Sequence, residues 1–291
     1  MTLFGLLNVN KPAGATSRDV VNQIQRLVKP TKVGHAGTLD PLARGVLVIG
    51  LGQATRLVEY VQQLPKHYRA NFLLGRTSTT EDIEGEVTML PEAAPPPREQ
   101  IEQAALALTG KIMQRPPAFS ALKVAGRRAY ALARAGETVE LAPRAVRIDR
   151  IAIVRYEYPE LCLEVVCGSG TYIRSLGRDL AEAVGSGAVM SQLERVAIGG
   201  FTIDTAIDPQ SLTREGLAAH LLPASWAVQG LMSEHVVSTA DAARLANGLP
   251  IAIAEVPSDT CAAVDGDGRL LAILTRKDGP QFTPLKYLPQ L

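Results

Sequence analysis

The loop of residues 34–45, which reads GHAGTLDPLARG, constrains the fold of this chain more than any other segment. Its glycines permit positive φ angles and Pro41 lacks a backbone donor, so the loop is neither a regular helix nor a regular strand. The apolar run 46–49 follows and predicts a buried strand that holds the loop at the edge of a sheet. Asp40 lies in the middle of the loop. These residues alone leave two interpretations, a turn in which Asp40 bonds its own backbone or an aspartate that faces a ligand.

Hydrophobic periodicity along the rest of the chain predicts an α+β fold. Apolar or strand-like runs, with clear alternation of apolar and polar residues at 68–74, predict strands at 3–9, 46–50, 68–74, 145–156, 161–167, 261–264 and 270–274. Helical spacing predicts a helix with a capping box at Thr16 and Asp19, and others at 53–64, 98–109, 126–135, 169–184 and 241–247. Because these elements follow no regular βαβ period, we expect a mixed, largely antiparallel sheet with flanking helices.

The pattern changes near residue 230. From there the chain has short strand-like runs and the turn sequence DGDG at 265–268, which suits a small β-rich domain. We therefore predict a large domain over 1–229 and a small domain over 230–291.

Composition excludes several classes of protein. The chain is 46% apolar and 20% charged, which is typical of globular proteins, and no apolar run approaches the roughly 20 residues that span a bilayer. The N-terminal sequence lacks the features of a secretory signal, so we expect a cytoplasmic protein. Three cysteines and four scattered histidines lack the spacing of a metal site, and no metal is predicted.

Charge is unevenly distributed, although the net charge is only +1. The segment 111–155 carries ten Lys or Arg against three acids, and 81–102 carries seven acids against one Arg. A phosphate-facing surface and an ordinary solvated face explain this segregation equally well.

The stretch GHAGTLDPLARGVLVIGLGQATR closely resembles the catalytic motif of the bacterial tRNA pseudouridine-55 synthases, the TruB family. Further segments resemble the family in the expected order: KHYRA at 66–70, PPAFSALK at 116–123, GTYIRSL at 170–176 and SQLER at 191–195. The resemblance implies the pseudouridine synthase fold and the isomerisation of uridine to pseudouridine at position 55 in the T-loop of tRNA. It also implies base flipping, an aspartate nucleophile and no cofactor.

The same resemblance assigns roles to individual residues. Asp40 matches the nucleophile, Arg174 the arginine that pairs with it, and Tyr68 the aromatic ring that stacks on the target base. The residues implied to contact the substrate or support the site are Lys11, His35, Tyr68, Asp82, Tyr172 and Leu193. Read without the resemblance, Arg174 is equally a surface arginine of a first helical turn, and Leu193 an ordinary core residue.

Two departures from the family pattern affect the expected site. Ser78 stands where the TDTxDxxG pattern usually has Asp, which makes Asp82 a secondary candidate. Phe119 stands where Tyr is usual, which keeps the ring and loses a hydroxyl. In the C-terminal part, residues 242–248 resemble a piece of the PUA-like RNA-binding domain of these enzymes, although a plain β-rich extension would read much the same.

Other functions are weighed against the synthase. A non-catalytic protein that binds or folds tRNA would not need Asp40, Tyr68 and Arg174 together. A glycosidase needs a second carboxylate beside Asp40, and no motif supplies one. A P-loop is excluded because the chain has no GxxxxGK[ST] sequence. We expect the T-arm of tRNA as partner, no membrane association, no obligatory protein partner and a monomer.

Overall fold

The computed structural model describes residues 3–90, 94–120, 122–124, 127–129, 132, 141–254 and 256–289. The chain divides into two compact units. We call residues 1–64 together with 197–291 the first unit, and residues 65–196 the second unit. The domain boundary predicted at 229/230 stays a prediction.

The helices and strands follow in chain order. The α-helices of the described ranges are α1 (Ser17–Val28), α2 (Val58–Val61), α3 (Arg98–Ala107), α4 (Ile173–Ala183) and α5 (Thr239–Ala246). Short 3-10 helices cover Gly52–Leu57, Ile203–Thr205, Pro209–Ser211, Leu217–His220 and Ala224–Ala227. The strands up to residue 128 are β1 (Gly5–Lys11), β2 (Val33–His35), β3 (Arg44–Leu51), β4 (Lys66–Leu74), β5 (Arg76–Ser78), β6 (Val87–Met89), β7 (Gly110–Gln114), β8 (Lys123–Val124) and β9 (Arg127–Arg128). The later strands are β10 (Arg144–Glu157), β11 (Glu160–Cys167), β12 (Ala188–Ile198), β13 (Phe201–Thr202), β14 (Glu234–Val236), β15 (Ile251–Ala252), β16 (Thr260–Val264), β17 (Leu270–Asp278) and β18 (Gln281–Tyr287).

In the first unit, the buried strand predicted after the Asp40 loop is confirmed as β3. It pairs antiparallel with β1, from Gly5 opposite Leu51 to Lys11 opposite Gly45, and also with β2. Helix α1 packs its apolar face, including Val20 and Ile24, against this sheet. The predicted capping box is confirmed, because the Thr16 side chain accepts from the Asp19 amide and the Asp19 carboxylate accepts from the Thr16 amide.

The C-terminal part of the first unit contains a five-stranded sheet in the order β14-β16-β17-β18-β15. Strand β14 runs parallel to β16, and the other pairs are antiparallel. The turn predicted at 265–268 joins β16 to β17, and the Asp265 side chain accepts hydrogen bonds from the amides of Asp267 and Arg269. One hydrophobic core joins residues of this sheet, such as Ile273, to Leu57 near the N-terminal strands.

The second unit is built on strands in the order β12-β4-β11-β10-β7, of which β4 and β11, β11 and β10, and β10 and β7 pair antiparallel. The two strands predicted at 145–156 and 161–167 are confirmed as β10 and β11, which pair antiparallel, and β4 buries every second residue as its alternation predicts. Helices α3 and α4 contact each other, and α4 lies so close to β4 that Gly177 leaves no room for a side chain beside Phe72.

Two predicted helices differ from the structure. The helix predicted from 169 begins at Ile173, because Gly170 has a φ of +82° and forms a turn ahead of it. The helix predicted over 126–135 lies mostly outside the described residues. Of those described, Ala129 and Leu132 are helical, whereas Arg127–Arg128 belongs to β9, which pairs with β8.

Candidate active site

The Asp40 loop is fixed at both sides of the aspartate, which is itself half-buried. On one side, the hydroxyl of Ser17 lies 2.9 Å from the amide nitrogen and 3.2 Å from the carbonyl oxygen of Leu39. On the other side, the carbonyl of Pro41 accepts a hydrogen bond from the Gly14 amide at 2.8 Å. The loop is therefore anchored to the first turn of α1 and to the turn that precedes it.

Lys11 adds a third anchor. Its ammonium group donates to the carbonyls of Ala15 at 2.6 Å and Pro12 at 2.9 Å, and lies 3.5 Å from that of Pro41. The side chain is fully buried, and a buried ammonium must be satisfied by such oxygens. This geometry suits the support of the loop that the resemblance implies.

His35 ends β2 and is half-buried. It lies opposite Ile49 in the register of β2 and β3, and the following amide, of Ala36, donates to the carbonyl of Val48 at 2.8 Å. The strand pairing therefore holds the backbone of His35 at the start of the Asp40 loop.

In the second unit, the structure brings together Arg174 and Asp82. The Arg174 guanidinium lies 3.1 Å from the Asp82 carboxylate, and both side chains are buried, with exposures of 6% and 2%. The same guanidinium donates to the carbonyl of Thr80 at 2.7 Å and to that of Phe119 at 3.1 Å. Arg174 is thus no surface arginine, and the group of Phe119 that it uses is the backbone carbonyl.

The loop that carries Asp82 is held by its own side chain and by β12. The Asp82 carboxylate accepts from the Thr80 hydroxyl at 2.5 Å and from the Glu84 amide at 3.1 Å. The Ile83 amide donates to the carbonyl of Met190, whose own amide donates back to Glu81. Asp82, a secondary candidate from sequence, is the buried counter-charge of Arg174.

Glu81 and Arg178 form a second ion pair beside the first, which the sequence did not reveal. The Glu81 carboxylate also accepts from the Ser175 hydroxyl at 2.7 Å. Burial raises the pKa of the Glu81 carboxyl above its usual value, and the Arg178 guanidinium opposes that shift. Glu81 has a φ of +63°, which is uncommon for a non-glycine residue and is held here by these contacts. Helix α4 therefore fixes the loop at two consecutive residues.

The remaining candidates of the second unit are apolar or aromatic. Tyr68 on β4 is buried with 8% exposure and lies opposite Val165 on β11, whereas Leu193 on β12 is buried with 7% exposure. Tyr172 is half-buried and immediately precedes α4. The position of Tyr172 therefore depends on how α4 begins.

Two further buried cations of the second unit are Lys66, the first residue of β4, and Arg195 on β12. Burial, together with the nearby charge of Arg195, lowers the pKa of Lys66 to about 8. Both side chains are almost inaccessible, with residue exposures of 7% and 2%. No local pattern indicated that charged residues lie inside the sheet.

The predicted residues are thus distributed over both units. The first unit holds Lys11, His35 and Asp40, and the second holds Tyr68, Asp82, Tyr172, Arg174 and Leu193.

Among the residues that the structure describes, no group of three or more His, Cys, Asp and Glu is arranged to hold a metal ion. No helix in the described ranges is long and apolar enough to cross a membrane.

Comparison with known proteins gives three kinds of match. The N-terminal domain of the TruB family pseudouridylate synthases matches residues 25–173. tRNA pseudouridine synthase B from Mycobacterium sp. (strain KMS) is 43% identical over 283 residues, which cover 96% of this chain and 94% of that protein. The enzyme of the same name from Arthrobacter sp. (strain FB24) is 42% identical over 301 residues, which cover 99% and 97% of the two chains.

Solved structures share the fold. A chain from a Cbf5–Nop10–Gar1 complex matches with a TM-score of 0.75 and 25% identity, over 98% of this chain and 84% of that chain. A chain from an archaeal box H/ACA Nop10–Cbf5 complex has a TM-score of 0.73 and 23% identity, over 98% and 86% of the two chains. The predicted α+β fold is confirmed. With the family match and the long, closely similar relatives, the resemblance seen in the sequence is confirmed as well: this chain belongs to the TruB family of pseudouridylate synthases.

Proposed function

We propose that this chain isomerises uridine to pseudouridine at position 55 in the T-loop of tRNA, with Asp40 as the nucleophile. The observation that carries the proposal is identity of 40–43% over nearly the whole chain to enzymes named tRNA pseudouridine synthase B. The Asp40 loop adds support, because three separate groups anchor its backbone around a half-buried carboxylate.

The chemistry needs no reagent besides protein and RNA. The bond between the sugar and N1 of uracil breaks, and a bond from the same sugar carbon to C5 forms. C5 loses a proton and N1 gains one, so substrate and product have the same formula. A carboxylate suits this rearrangement, because it can bond covalently to the nucleotide while the base turns. On this scheme the enzyme uses no metal and no cofactor.

The other residues take supporting roles in the proposal. Arg174 orients the Asp40 carboxylate, and it is suited to do so because Asp82, Thr80 and Phe119 fix its guanidinium. Tyr68 stacks on the flipped base. Tyr172 and Leu193 line the nucleotide, His35 holds the nucleotide out of its stack, and Lys11 supports the Asp40 loop.

Recognition of the tRNA is proposed to rest on phosphate contacts from the basic segment 111–155. Exposed cations on β7 and β10 include Lys111, Arg147, Arg150 and Arg155. Folded RNA offers little readable major groove, so shape and phosphates supply most of the affinity. We further propose a monomer that works in the cytoplasm without an obligatory protein partner, and a C-terminal PUA-like domain that binds RNA.

The proposal is tested by incubating the purified protein with an unmodified tRNA transcript and mapping pseudouridine by mass spectrometry. We expect one modified nucleotide, at position 55. A transcript with cytidine at position 55 is the matched control and should gain no pseudouridine. A protein that binds and refolds the transcript but never modifies it would instead be a non-catalytic tRNA-binding protein.

A further inference from the structure

The side chain of Gln114, the last residue of β7, forms two hydrogen bonds with the backbone of Tyr172. Its amide oxygen accepts a hydrogen bond from the Tyr172 amide at 2.8 Å, and its amide nitrogen donates to the Tyr172 carbonyl at 3.1 Å. A primary amide is the side chain that supplies an acceptor and a donor at this spacing. Gln114 is 1% exposed, so water does not compete for these bonds. The Gln114 side chain thus forms the two hydrogen bonds with the Tyr172 backbone that a paired strand would otherwise form.

Arg144, the first residue of β10, acts on the ring of the same tyrosine. Its guanidinium carbon lies 4.9 Å from the centre of the Tyr172 ring, the geometry of a cation–π contact. The guanidinium also donates to the carbonyl of Gly170, two residues before the tyrosine. Arg144 and Gln114 lie directly opposite each other in the pairing of β10 with β7. One cross-strand pair therefore holds both the backbone and the ring of Tyr172.

The backbone of Tyr172 connects its aromatic ring to the first turn of α4. Its carbonyl also accepts from the Leu176 amide at 3.0 Å, so it begins the hydrogen bonding of α4. Arg174 follows two residues later. A shift of the Tyr172 backbone would therefore move both the ring and the first turn of the helix that carries Arg174.

We propose that Gln114 and Arg144 are positioning residues for pseudouridine formation that act through Tyr172. This inference rests on the proposed function, in which Tyr172 lines the flipped nucleotide. The pair fixes the ring before the RNA arrives, so that the bound nucleotide meets a preorganised wall. Misplacement of such a group by about 1 Å costs on the order of 100-fold in rate.

The test measures single-turnover pseudouridine formation at saturating tRNA, together with the dissociation constant for tRNA. We expect Gln114→Leu and Arg144→Ala to slow the rate about 10- to 100-fold, after allowance for any change in affinity. Arg144→Ala is then repeated in a Tyr172→Ala background, where it should cost less than about twofold, because the ring that Arg144 contacts is gone. Gln114→Leu should still slow the rate several-fold in that background, because its partners are backbone atoms that alanine keeps. Gln103→Leu and Arg98→Ala on the exposed side of α3 are matched controls that should retain the normal rate.

A pH profile separates positioning from mere stability. Gln114→Glu has the shape of glutamine, and its carboxyl group regains a donor when it is protonated. Its rate relative to the unchanged protein should therefore rise as the pH is lowered, whereas that of Gln114→Leu should stay flat. This variant also carries the test if the leucine variant fails to fold.

The outcomes distinguish the inference from the proposed function. A full, multiplicative loss for Arg144→Ala in the Tyr172→Ala background, or normal rates in the Gln114 and Arg144 variants, would overturn the inference and leave the proposed function intact. A normal rate for Tyr172→Ala alone would overturn the inference by removing the role of Tyr172. An unchanged protein that forms no pseudouridine would overturn both.

Discussion

The guanidinium of Arg174 and the carboxylate of Asp82 form a buried ion pair, with 3.1 Å between nitrogen and oxygen. They are 92 residues apart in the sequence and lie on a helix and a loop of the second unit. Two charges removed from water are costly unless each satisfies the other, and backbone carbonyls complete the shell of Arg174 here. The arginine is therefore held in one orientation by the protein alone.

Asp82→Asn should lower both stability and activity, because it leaves the buried guanidinium short of a negative charge. We expect a loss of about 3 kcal/mol in unfolding free energy and a fall of more than tenfold in the rate of pseudouridine formation. Urea denaturation and a single-turnover assay measure the two effects. Glu86→Gln, an exposed carboxylate of the same region, is the control and should change stability by less than about 0.5 kcal/mol. An Asp82→Asn protein that matches the unchanged enzyme in both measurements would show that the ion pair supports neither stability nor catalysis.

Two neighbouring hydroxyls at the start of α1 should behave differently. Thr16→Ala removes a helix cap and should cost about 1 kcal/mol of stability with no loss of rate. Ser17→Ala leaves the Leu39 backbone without its partner, so it should cost about 1–3 kcal/mol and also slow pseudouridine formation about tenfold. Equal rates for the two variants would show that the anchor at Leu39 does not matter for catalysis.

The close packing of α4 on β4 predicts a steric effect at Gly177. A Cβ atom there would lie 2.0 Å from the ring of Phe72, far inside van der Waals contact. Although alanine favours helices, Gly177→Ala should therefore destabilise the protein by about 3 kcal/mol or more. Adding Phe72→Leu should recover part of that loss, which thermal and urea unfolding would reveal. Simple additivity of the two changes would contradict the contact.

The lowered pKa of Lys66 should make the unfolding free energy depend on pH. Its pKa is about 8 in the folded protein, below the usual lysine value of 10.5, because the ammonium is buried. Between these values the unfolded chain binds the extra proton, so unfolding free energy gains on the order of 2 kcal/mol as the pH rises from about 8 to 10. Lys66→Met should lack this rise. Identical pH profiles of urea unfolding for the two proteins would show that Lys66 keeps an ordinary pKa.

Local signals predicted much of this fold. The capping box at Thr16 and the alternation of β4 depend on residues near one another in sequence, and both are confirmed. Strand β12 was not predicted, because Arg195 is buried on it and breaks the rule that charges face water. The start of α4 was misplaced because a positive φ at Gly170 interrupts the pattern.

The residues of the candidate site likewise include some that a local motif predicts and some that only the folded chain brings together. A motif pointed to Asp40 because glycines and a proline surround it, whereas the burial of Arg174 depends on Asp82 and Phe119 from two other segments. Gln114 and Arg144 carry no local signal at all. Their importance arises only where β7 and β10 pair and Tyr172 comes to lie against them.

The most direct measurement of the central claim is single-turnover pseudouridine formation by Asp40→Asn on an unmodified tRNA transcript, beside the dissociation constant for that transcript. Asparagine keeps the size of the side chain and removes the nucleophilic carboxylate. We expect no detectable pseudouridine and a dissociation constant within a few fold of that of the unchanged protein. Turnover within about tenfold of the normal rate would contradict the central claim.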